Sequence, residues 1–433
     1  MKAITLFLFL ISPFLHAQID KALNTKAIQL PKALDKLVWR TDIKKSLSEA
    51  QTTNRPIFVT FRCLPCKQCA SFDKSVLDGG PALSPLLRQF ITVRLTDAAQ
   101  LNTALFPFEG YQDLDLSWWG YLLSPQGQIY GIFGGKDHIS DQTRISVKAL
   151  QNTLSRVLKH HYQTDRKKWN VDGPLPNLSK GKTPKDYPMF DKWKNDNPWI
   201  AKQTCIHCHQ VNDIVRFAPI KLGKFDKKKD LDMWPLPENT GIIVDRDHGL
   251  KVKSLIQGRP VKHSLKLGDE LLAAGNRLLF SQADYRGVLH RFKDKGTLPL
   301  WIKRNEQVIK TSMTLGDNWK QALKVEHLYW RKSVYDGPIS SGPGFFPLRG
   351  PKSGKGSMSV KPFMGKNAKD RPAYKAGVRP NHIIVAVNGE SPDYYGRSFM
   401  GWFKLKFSPG ETITYTVLER GKRKDIKYTL EKK

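Results

Sequence analysis

The chain has 433 residues, which is too long for one hydrophobic core and suggests about three domains. Its apolar share of 40% and its 11 tryptophans are ample for packed cores. The formal net charge is +32, from 71 Lys and Arg against 39 Asp and Glu. Because the basic residues are spread along the chain and form no single arm, we expect a solvated basic surface and not a nucleic-acid site. Anionic envelope surfaces are the alternative partner for this charge.

The first segment, residues 1–17, has the pattern of a secretory signal peptide. Lys2 supplies a positive charge, an apolar run extends to Leu15, and Ala17 offers a small residue for cleavage. The run is too short to span a bilayer as a stable helix. Gln18 rather than Cys follows the cleavage site, which argues against a lipid anchor. We therefore expect a protein exported to the periplasm or the extracellular space.

The next segment, residues 20–165, shows the order strand, helix, strand, hairpin, helix. A buried strand is predicted at Ile57–Phe61, and three cysteines follow it at Cys63, Cys66 and Cys69. Further on, FITVRLTD alternates like a strand, GYLLSPQGQIYGIFGG predicts a hairpin, and ISVKALQNTLSRVLKHHYQ predicts an amphipathic helix. This order and the stretch PIFVTFRCLPCKQCASFDKSVL resemble the thioredoxin-like family, an α/β fold.

The resemblance places the redox site at Cys66 and Cys69, between a strand end and a helix start. A cysteine at a helix N-terminus lies near the positive end of the dipole, and Arg62 and Lys67 add positive charge, so the Cys66 thiolate is stabilised. We predict Cys66 as the nucleophile and Cys69 as the resolving thiol. Cys63 is an alternative disulfide partner or a third sulfur ligand. A purely structural disulfide and a metal site are the alternatives, although the fourth cysteine of an iron–sulfur run is missing.

One position departs from the thioredoxin pattern. Members of that family carry a cis-proline before the third strand, beside the redox site, and Trp118 stands about where this proline belongs. We therefore expect substrate docking to differ from that of ordinary thioredoxins.

The middle segment, residues 166–235, is rich in Pro, Lys, Asp, Asn and Trp, and we expect a linker with little core of its own. Within it, Cys205, Cys208 and His209 match the CxxCH signature of c-type haem attachment. In that chemistry two thioethers hold one porphyrin edge, and the histidine binds the iron as proximal ligand. The segment therefore predicts a c-type haem, with a plain disulfide and a zinc site as alternatives. Several residues are candidates for the second axial ligand: Met189, Met233, His160, His161 and His248.

The C-terminal part of the chain holds a diverged repeat. SLKLGDELLAAGN (264–276) and GVRPNHIIVAVNG (377–389) share an apolar strand that ends in Gly and Asn, and each precedes a helix and a hairpin. These residues resemble PDZ domains. We predict two mainly-β PDZ-like domains, at residues 236–318 and 330–433.

The first copy carries TGIIV, where PDZ domains place their carboxylate-binding loop and peptide-accepting strand. The resemblance implies that Gly241, Ile242, Ile243 and Val244 capture protein C-terminal peptides by strand addition. In the second copy this loop is replaced by a stretch rich in Gly, Pro and Lys at 342–356, so we expect that copy to pack against its neighbours. The alternative is that both copies are docking platforms within the protein.

In this order, the thioredoxin-like domain, the Pro-rich CxxCH segment and the two PDZ-like domains resemble a bacterial family of thioredoxin-like/PDZ proteins, some of which carry selenocysteine. The combination favours an exported thiol-disulfide oxidoreductase that acts on a protein thiol or disulfide, with the haem passing single electrons. The competing hypothesis is a non-catalytic envelope scaffold that binds peptides and whose cysteines are structural.

Overall fold

The computed structural model describes residues 13–25, 28–61, 77, 80–108, 110–136, 146–202, 205–231, 233–321, 331, 334, 342–353, 357–391 and 394–431. The chain divides into two compact units. The first comprises Met1–Asp137, Asp141–Ile214 and Met233–Ala322, and the second comprises His138–Ser140, Val215–Asp232 and Leu323–Lys433. The fold is therefore multidomain. The first unit joins the predicted thioredoxin-like segment, most of the middle segment and the first predicted PDZ-like segment.

A five-stranded mixed sheet forms the centre of the N-terminal part of the first unit. Its strands are β1 (Trp39–Arg40), β2 (Ile57–Phe61), β3 (Ile91–Leu95), β4 (Ser117–Leu123) and β5 (Ile129–Lys136), in the spatial order β1-β3-β2-β4-β5. Strand β2 is parallel to β3 and antiparallel to β4. All of its side chains are buried, as expected of a central strand that is covered on both faces.

Among the described residues of this part, the helices are α1 (Pro13–Leu23), α2 (Ile43–Thr53), α3 (Ser84–Leu87) and α4 (Val147–His161). Asp42 caps α2 by accepting from the N–H of Lys44, and Ser146 caps α4 by accepting from the N–H of Ala149. In α1, Ile19 is buried in the same core as the sheet. No helix in the described part of the chain is both long and apolar enough to cross a bilayer.

The middle segment forms short helices, α5 (Arg166–Trp169), α6 (Phe190–Asn195), α7 (Pro198–Ala201), α8 (Cys208–Lys221) and α9 (Lys227–Asp230). It differs from the linker expected from sequence, because many of its apolar side chains are buried: Trp169, Phe190, Trp193, Ile200, Ile206 and Val211. Helices of four to six residues between prolines show too few turns for a periodic pattern. The burial was therefore not visible in the sequence.

The rest of the first unit is a second, mainly-β part. Its elements are β6 (Ile242–Val244), β7 (Val252–Leu255), β8 (Val261–His263), β9 (Glu270–Ala274), β10 (Arg277–Leu278), α10 (Gln282–Arg291), β11 (Gly296–Arg304) and β12 (Gln307–Leu315). Strands β10-β9-β11-β12-β8 form one sheet, and β6 pairs with β7. The predicted strand, helix and hairpin of the first repeat are all present.

The second unit contains another five-stranded antiparallel sheet, in the order β13-β14-β15-β16-β17. Its elements are β13 (Phe346–Ser353), β14 (Ser357–Phe363), α11 (Pro372–Lys375), β15 (Ile383–Val387), α12 (Gly396–Lys406), β16 (Thr412–Glu419) and β17 (Lys422–Thr429). The core is aromatic and includes Phe399, Phe403 and Tyr415. At the end of α12, the Lys227 ammonium donates to the carbonyl of Lys404 at 2.7 Å, which satisfies one of the carbonyls that a helix leaves unpaired.

Candidate functional site: the carboxyl edge of the first sheet

The candidate site lies at the edge where strands β2 and β3 end. The two strands are parallel and in register from Ile57 opposite Ile91 to Phe61 opposite Leu95. The predicted redox cysteines follow β2 directly, but Cys63, Cys66 and Cys69 lie outside the described residues. Chain geometry alone limits Cys63 to about 7 Å from the end of β2, since two residues span no more than that.

An aromatic cluster supports the end of β2. Phe61, Phe106 and Tyr121 are buried, and their ring centroids lie 5.0–5.3 Å apart in edge-on pairs. The Tyr121 hydroxyl is 3.1 Å from the Gln112 side-chain oxygen. Because the three rings are closely packed and the Tyr121 hydroxyl has a hydrogen-bond partner, the cluster holds the end of β2 in a fixed position.

Trp118 lies beside the same strand end. In the antiparallel pairing of β2 with β4, Phe61 is opposite Trp119, so Trp118 is next to the point where the chain leaves β2. Its side chain is buried and its φ is +56°. A left-handed conformation is unusual for a bulky residue and costs about 1–3 kcal/mol. Trp118, which the sequence prediction aligned with the cis-proline of thioredoxins, is thus a buried residue with a strained backbone.

The CxxCH segment is anchored at this edge too. The N–H of Ile206 donates to the Asp97 carboxylate at 3.1 Å, and the carbonyl of Ile206 accepts from the N–H of Ala98 at 3.2 Å. Asp97 and Ala98 follow the end of β3, which is the neighbour of β2. Asp97 is fixed in turn because it also accepts from the N–H of Ala99. The structure therefore brings the second cysteine segment to the edge at which the first one begins.

Within this segment, the described features place the two cysteines in different settings. Cys205 carries a free thiol and is 6% exposed. Cys208 is the first residue of α8, although its side chain is outside the described set. The helix start is stabilised by the N–H of His207, which donates to the Gln210 side-chain oxygen at 2.7 Å. The ring of His209 lies 5.1 Å from that of His207, centroid to centroid.

The burial of these residues tests whether a haem fits. Covalent attachment requires both sulfurs and the histidine at one porphyrin edge, with an apolar slot for the ring. Cys205 and Ile206 are instead 6% and 5% exposed, packed within the protein. Phe190 and Trp193, which precede the motif, are also buried, and their rings contact each other at 5.9 Å. A c-type haem on Cys205, Cys208 and His209 therefore stays a prediction from the CxxCH spacing.

The histidines considered as second axial ligands are engaged elsewhere. The contacts join His160 to Asp172 at 2.6 Å, His161 to the Tyr130 hydroxyl at 2.8 Å, and His248 to Arg156 at 3.1 Å. Burial lowers the pKa of His161 to about 4 and also lowers the pKa of His160. Both rings are therefore neutral near pH 7 and serve as structural groups.

A second feature of the first unit is the joint between its two sheets, which the sequence did not indicate. Strand β5 is the edge of the first sheet, and helix α10 begins beside it. The Asp284 carboxylate accepts from the N–H of Ile132 at 2.8 Å, and the Ser281 hydroxyl donates to the carbonyl of Ile132. Arg286 of α10 forms a buried ion pair with Asp113. The Ser281-x-x-Asp284 pattern is a capping box, which predicts a helix start but not its partner.

The predicted peptide-binding loop of the first copy lies next to this joint. The N–H of Gly241 donates to the carbonyl of Glu238 at 3.2 Å, and the Thr240 hydroxyl lies 3.1 Å from that of Tyr285 on α10. Ile242 and Val244 are buried, whereas Ile243 is 36% exposed. Most of α10 is buried as well. The structure thus ties the predicted peptide-binding loop to helix α10.

The second copy has an edge strand whose apolar side chains are more exposed than those of β6 in the first copy. Strand β13 is an edge strand of its sheet and pairs with β14, and helix α12 packs alongside it. Phe346 and Leu348 of this strand are 38% and 40% exposed. Tyr395, just before α12, is 43% exposed and lies under the Arg349 guanidinium. An apolar strand edge next to a helix is the arrangement that strand addition uses.

Comparison with known proteins identifies the family of the domain that contains the first sheet. Residues 38–112 match the family model described as thioredoxin-like. The match covers β1, β2 and β3 and the stretch with the first three cysteines, so a thioredoxin-like domain is confirmed over residues 38–112. Its predicted bounds of 20–165 stay a prediction. Redox or disulfide chemistry is the function this class suggests.

Solved structures give much weaker likenesses. HtrA-type protease AlgW with decapeptide is 14% identical, with 33% of this chain and 50% of that chain covered and a TM-score of 0.19. AlgW with tripeptide is 13% identical, covering 31% and 53%, with a TM-score of 0.18. The serine endoprotease from Yersinia pestis is 17% identical, covering 31% and 51%, with a TM-score of 0.17. The chain spans about half the length of these structures, and such TM-scores do not establish a common fold. No curated protein matches the chain.

Proposed function

We propose that the protein is an exported thiol-disulfide oxidoreductase that acts on protein thiols or disulfides through Cys66 and Cys69. The observation that carries the proposal is the carboxyl edge of the first sheet, where β2 and β3 end in register. The thioredoxin-like match extends across the cysteines that follow β2. In this class a thiolate at a strand end and helix start attacks the substrate disulfide.

The proposed reaction has two steps. The Cys66 thiolate attacks one sulfur of a substrate disulfide, which forms a mixed disulfide and releases the other substrate sulfur as a thiolate. The Cys69 thiol then attacks Cys66, which releases the reduced substrate and leaves a Cys66–Cys69 disulfide. Cys63 is the alternative partner for Cys66. The fixed aromatic cluster of Phe61 and Tyr121 holds the strand end from which this site extends.

A single substitution tests this proposal. Cys66→Ser should abolish the reduction of insulin disulfides by the full chain with dithiothreitol as electron donor, because no thiolate remains to attack. Cys63→Ser is the matched control, since it also removes one thiol from the same segment and should retain most of the turnover. Unchanged turnover in Cys66→Ser would remove the enzyme hypothesis.

We further infer that protein partners dock through the PDZ-like copies. The sequence predicts capture of C-terminal peptides at Gly241, Ile242, Ile243 and Val244, but Ile242 and Val244 are buried. The Thr240 hydroxyl beside them lies 3.1 Å from that of Tyr285 on α10. The exposed Phe346 and Leu348 favour strand β13 as the docking edge. This proposal reverses the roles that the sequence suggested for the two copies.

The non-catalytic scaffold is the second candidate, and the buried joint favours it. The Asp113–Arg286 pair and the bonds to Ile132 unite two sheets, as in a structural platform. In that case the first cysteines form a structural disulfide. Both proposals include export of the protein. Both also include attachment to anionic envelope surfaces, which the net charge of +32 favours.

A further inference from the structure

We propose that the outer face of the sheet in the second unit binds the surface of an anionic phospholipid bilayer. The outer face is the side of this sheet that carries Phe346, Leu348, Lys361, Phe363, Leu418 and Arg423. This inference rests on the proposed function, because attachment to anionic envelope surfaces is part of it. It names the face that attaches and the ligand that the face binds.

The first half of the outer face lies on β13 and β14. Phe346 lies opposite Phe363, and Leu348 lies opposite Lys361. Residues directly opposite each other on two strands point to the same side of a sheet. All four are exposed, Phe363 most of the three apolar ones at 55%. Val360, next to Lys361, is fully buried in the aromatic core, so the core lies on the other side of these strands.

The outer face continues over β15, β16 and β17. Leu418 of β16 lies opposite both Ile383 of β15 and Arg423 of β17. Leu418 and Ile383 are half-buried, whereas the next residues along their strands, Val417 and Ile384, are fully buried. The alternation shows that one side of the sheet is packed and that the other side, which carries Leu418, is accessible.

The two halves join into a row across the sheet. Val360 lies opposite Ile384, so Lys361 lies beside Ile383 on the outer face. One residue from each of the five strands belongs to the row: Leu348, Lys361, Ile383, Leu418 and Arg423. Since neighbouring strands are about 4.8 Å apart, the row is about 19 Å wide. A peptide added to β13 pairs with one edge strand, whereas a surface of this width suits a planar partner.

Cationic groups lie among the apolar side chains of the outer face. Lys361 and Arg423 are exposed, and Lys427 is exposed on the same side of β17, four residues after Arg423. Within the described residues, none of these three cations forms an ion pair. Asp425 lies between Arg423 and Lys427 and accepts from the Thr416 hydroxyl at 2.8 Å. The three positive charges are therefore available to an anionic ligand.

An anionic bilayer fits this combination better than the other occupants. Phe and Leu side chains enter the boundary between headgroups and acyl chains, while Lys and Arg are attracted to the lipid phosphates. Residues 342–433 carry 19 Lys and Arg against 7 Asp and Glu, which strengthens the attraction. A second copy would place Lys361 and Arg423 against like charges. A peptide on the edge of β13 would leave Phe363 and Leu418 uncovered.

Sedimentation of the full chain with lipid vesicles tests the proposal. One set of vesicles contains phosphatidylglycerol and phosphatidylethanolamine, and the other contains phosphatidylcholine alone. We expect the protein to sediment with the first set and not with the second. Combining Lys361→Gln with Arg423→Gln should weaken binding about 25-fold, at about fivefold for each cation near an anionic surface. Phe363→Ser should weaken it at least about fivefold, because the contact loses an aromatic ring.

Lys424→Gln is the matched control for Arg423→Gln. Lys424 is the next residue of β17, but it lies opposite the buried Val417, on the other side of the sheet, and pairs with Glu419 at 3.7 Å. At about 0.1 M salt the charge on that side is largely screened from the lipid, so affinity should stay within about twofold. Equal losses in Lys424→Gln and Arg423→Gln would overturn the proposal, because the net charge and not the outer face would then bind the vesicles.

Further outcomes separate the possible failures. Absence of wild-type protein from sedimented anionic vesicles would overturn the proposal. So would a Phe363→Ser variant that keeps vesicle binding but loses self-association or peptide binding, because the face would then belong to a second copy or a peptide. Insulin reduction tests the oxidoreductase separately: full turnover in Cys66→Ser removes that activity and leaves vesicle binding as measured. If Cys66→Ser is inactive and the outer-face variants bind vesicles like wild type, only the bilayer inference fails.

Discussion

The two predicted PDZ-like copies differ in how far their helices and strand edges are covered. In the first copy, helix α10 is buried, with Arg286 paired to Asp113 of the thioredoxin-like part and Tyr285 bonded to Thr240. In the second copy, the corresponding helix α12 lies beside β13, whose Phe346 and Leu348 are exposed. The difference supports the proposal that the first copy stabilises the first sheet and that partners dock on the second.

The largest expected effect on stability comes from removing the buried ion pair between Arg286 of the first copy and Asp113. Arg286→Met should lower the free energy of unfolding of the first unit by about 3–5 kcal/mol, because it removes the buried guanidinium that compensates the charge of the Asp113 carboxylate. Urea unfolding followed by tryptophan fluorescence measures the loss. Lys168→Met is the control: its ion pair with Asp165 is exposed to solvent, so its loss should leave the unfolding midpoint nearly unchanged. A loss below about 1 kcal/mol in Arg286→Met would show that the joint is not a stabilising interface.

The pH dependence of stability is a second test of the first unit, because the buried His161 belongs to it. Burial lowers its pKa in the folded protein to about 4, below the usual value of about 6.5. The unfolded chain therefore binds the proton first as the pH falls, and stability is lost between about pH 6.5 and pH 4. We expect a loss of about 3 kcal/mol, at about 1.4 kcal/mol per pH unit.

Urea titrations at a series of pH values measure this loss. His161→Gln should flatten the dependence, since the variant keeps a polar side chain near Tyr130 but has no proton to gain. A wild-type stability that stays constant from pH 6.5 to pH 4 would contradict the assignment of His161 as a buried neutral group.

The two strand edges can be compared directly in peptide binding. Leu348→Glu should weaken the binding of C-terminal peptides to the full chain by at least about tenfold, or about 1.4 kcal/mol, because it places a charge on the exposed apolar edge of β13. Ile243→Glu introduces the same change at the exposed position of β6 and should leave affinity within about twofold. Selection from a C-terminal peptide library followed by calorimetric titration measures both. If only Ile243→Glu weakens binding, the first copy is the peptide site.

Local patterns in the sequence predicted most of the elements of the first sheet. The strand at Ile57–Phe61 appears with the predicted bounds, FITVRLTD contains β3, and the Pro-Gln-Gly turn joins β4 to β5. The predicted amphipathic helix is α4, which runs from Val147 to His161. These elements could be predicted from the sequence because the apolar period of a helix or strand, and the residues of a turn, are local patterns.

The contacts between residues far apart in the chain could not be predicted from such local patterns. The bond from Ile206 to Asp97 joins residues 109 positions apart, and the Asp113–Arg286 pair joins residues 173 positions apart. A single carboxylate or amide carries no local signal of so distant a partner. The CxxCH motif could therefore be read as a haem site from its spacing, whereas its place at the sheet edge required the fold.

The central claim is that the thioredoxin-like cysteines are catalytic, and their reduction potential tests it most directly. The measurement is a redox titration of full-length Cys205→Ser, Cys208→Ser protein against glutathione and dithiothreitol buffers, in which only the first three cysteines remain. The account predicts a potential between about −270 and −120 mV, the range of thioredoxin-like catalysts. A potential below about −300 mV, which is typical of a structural disulfide, would contradict it.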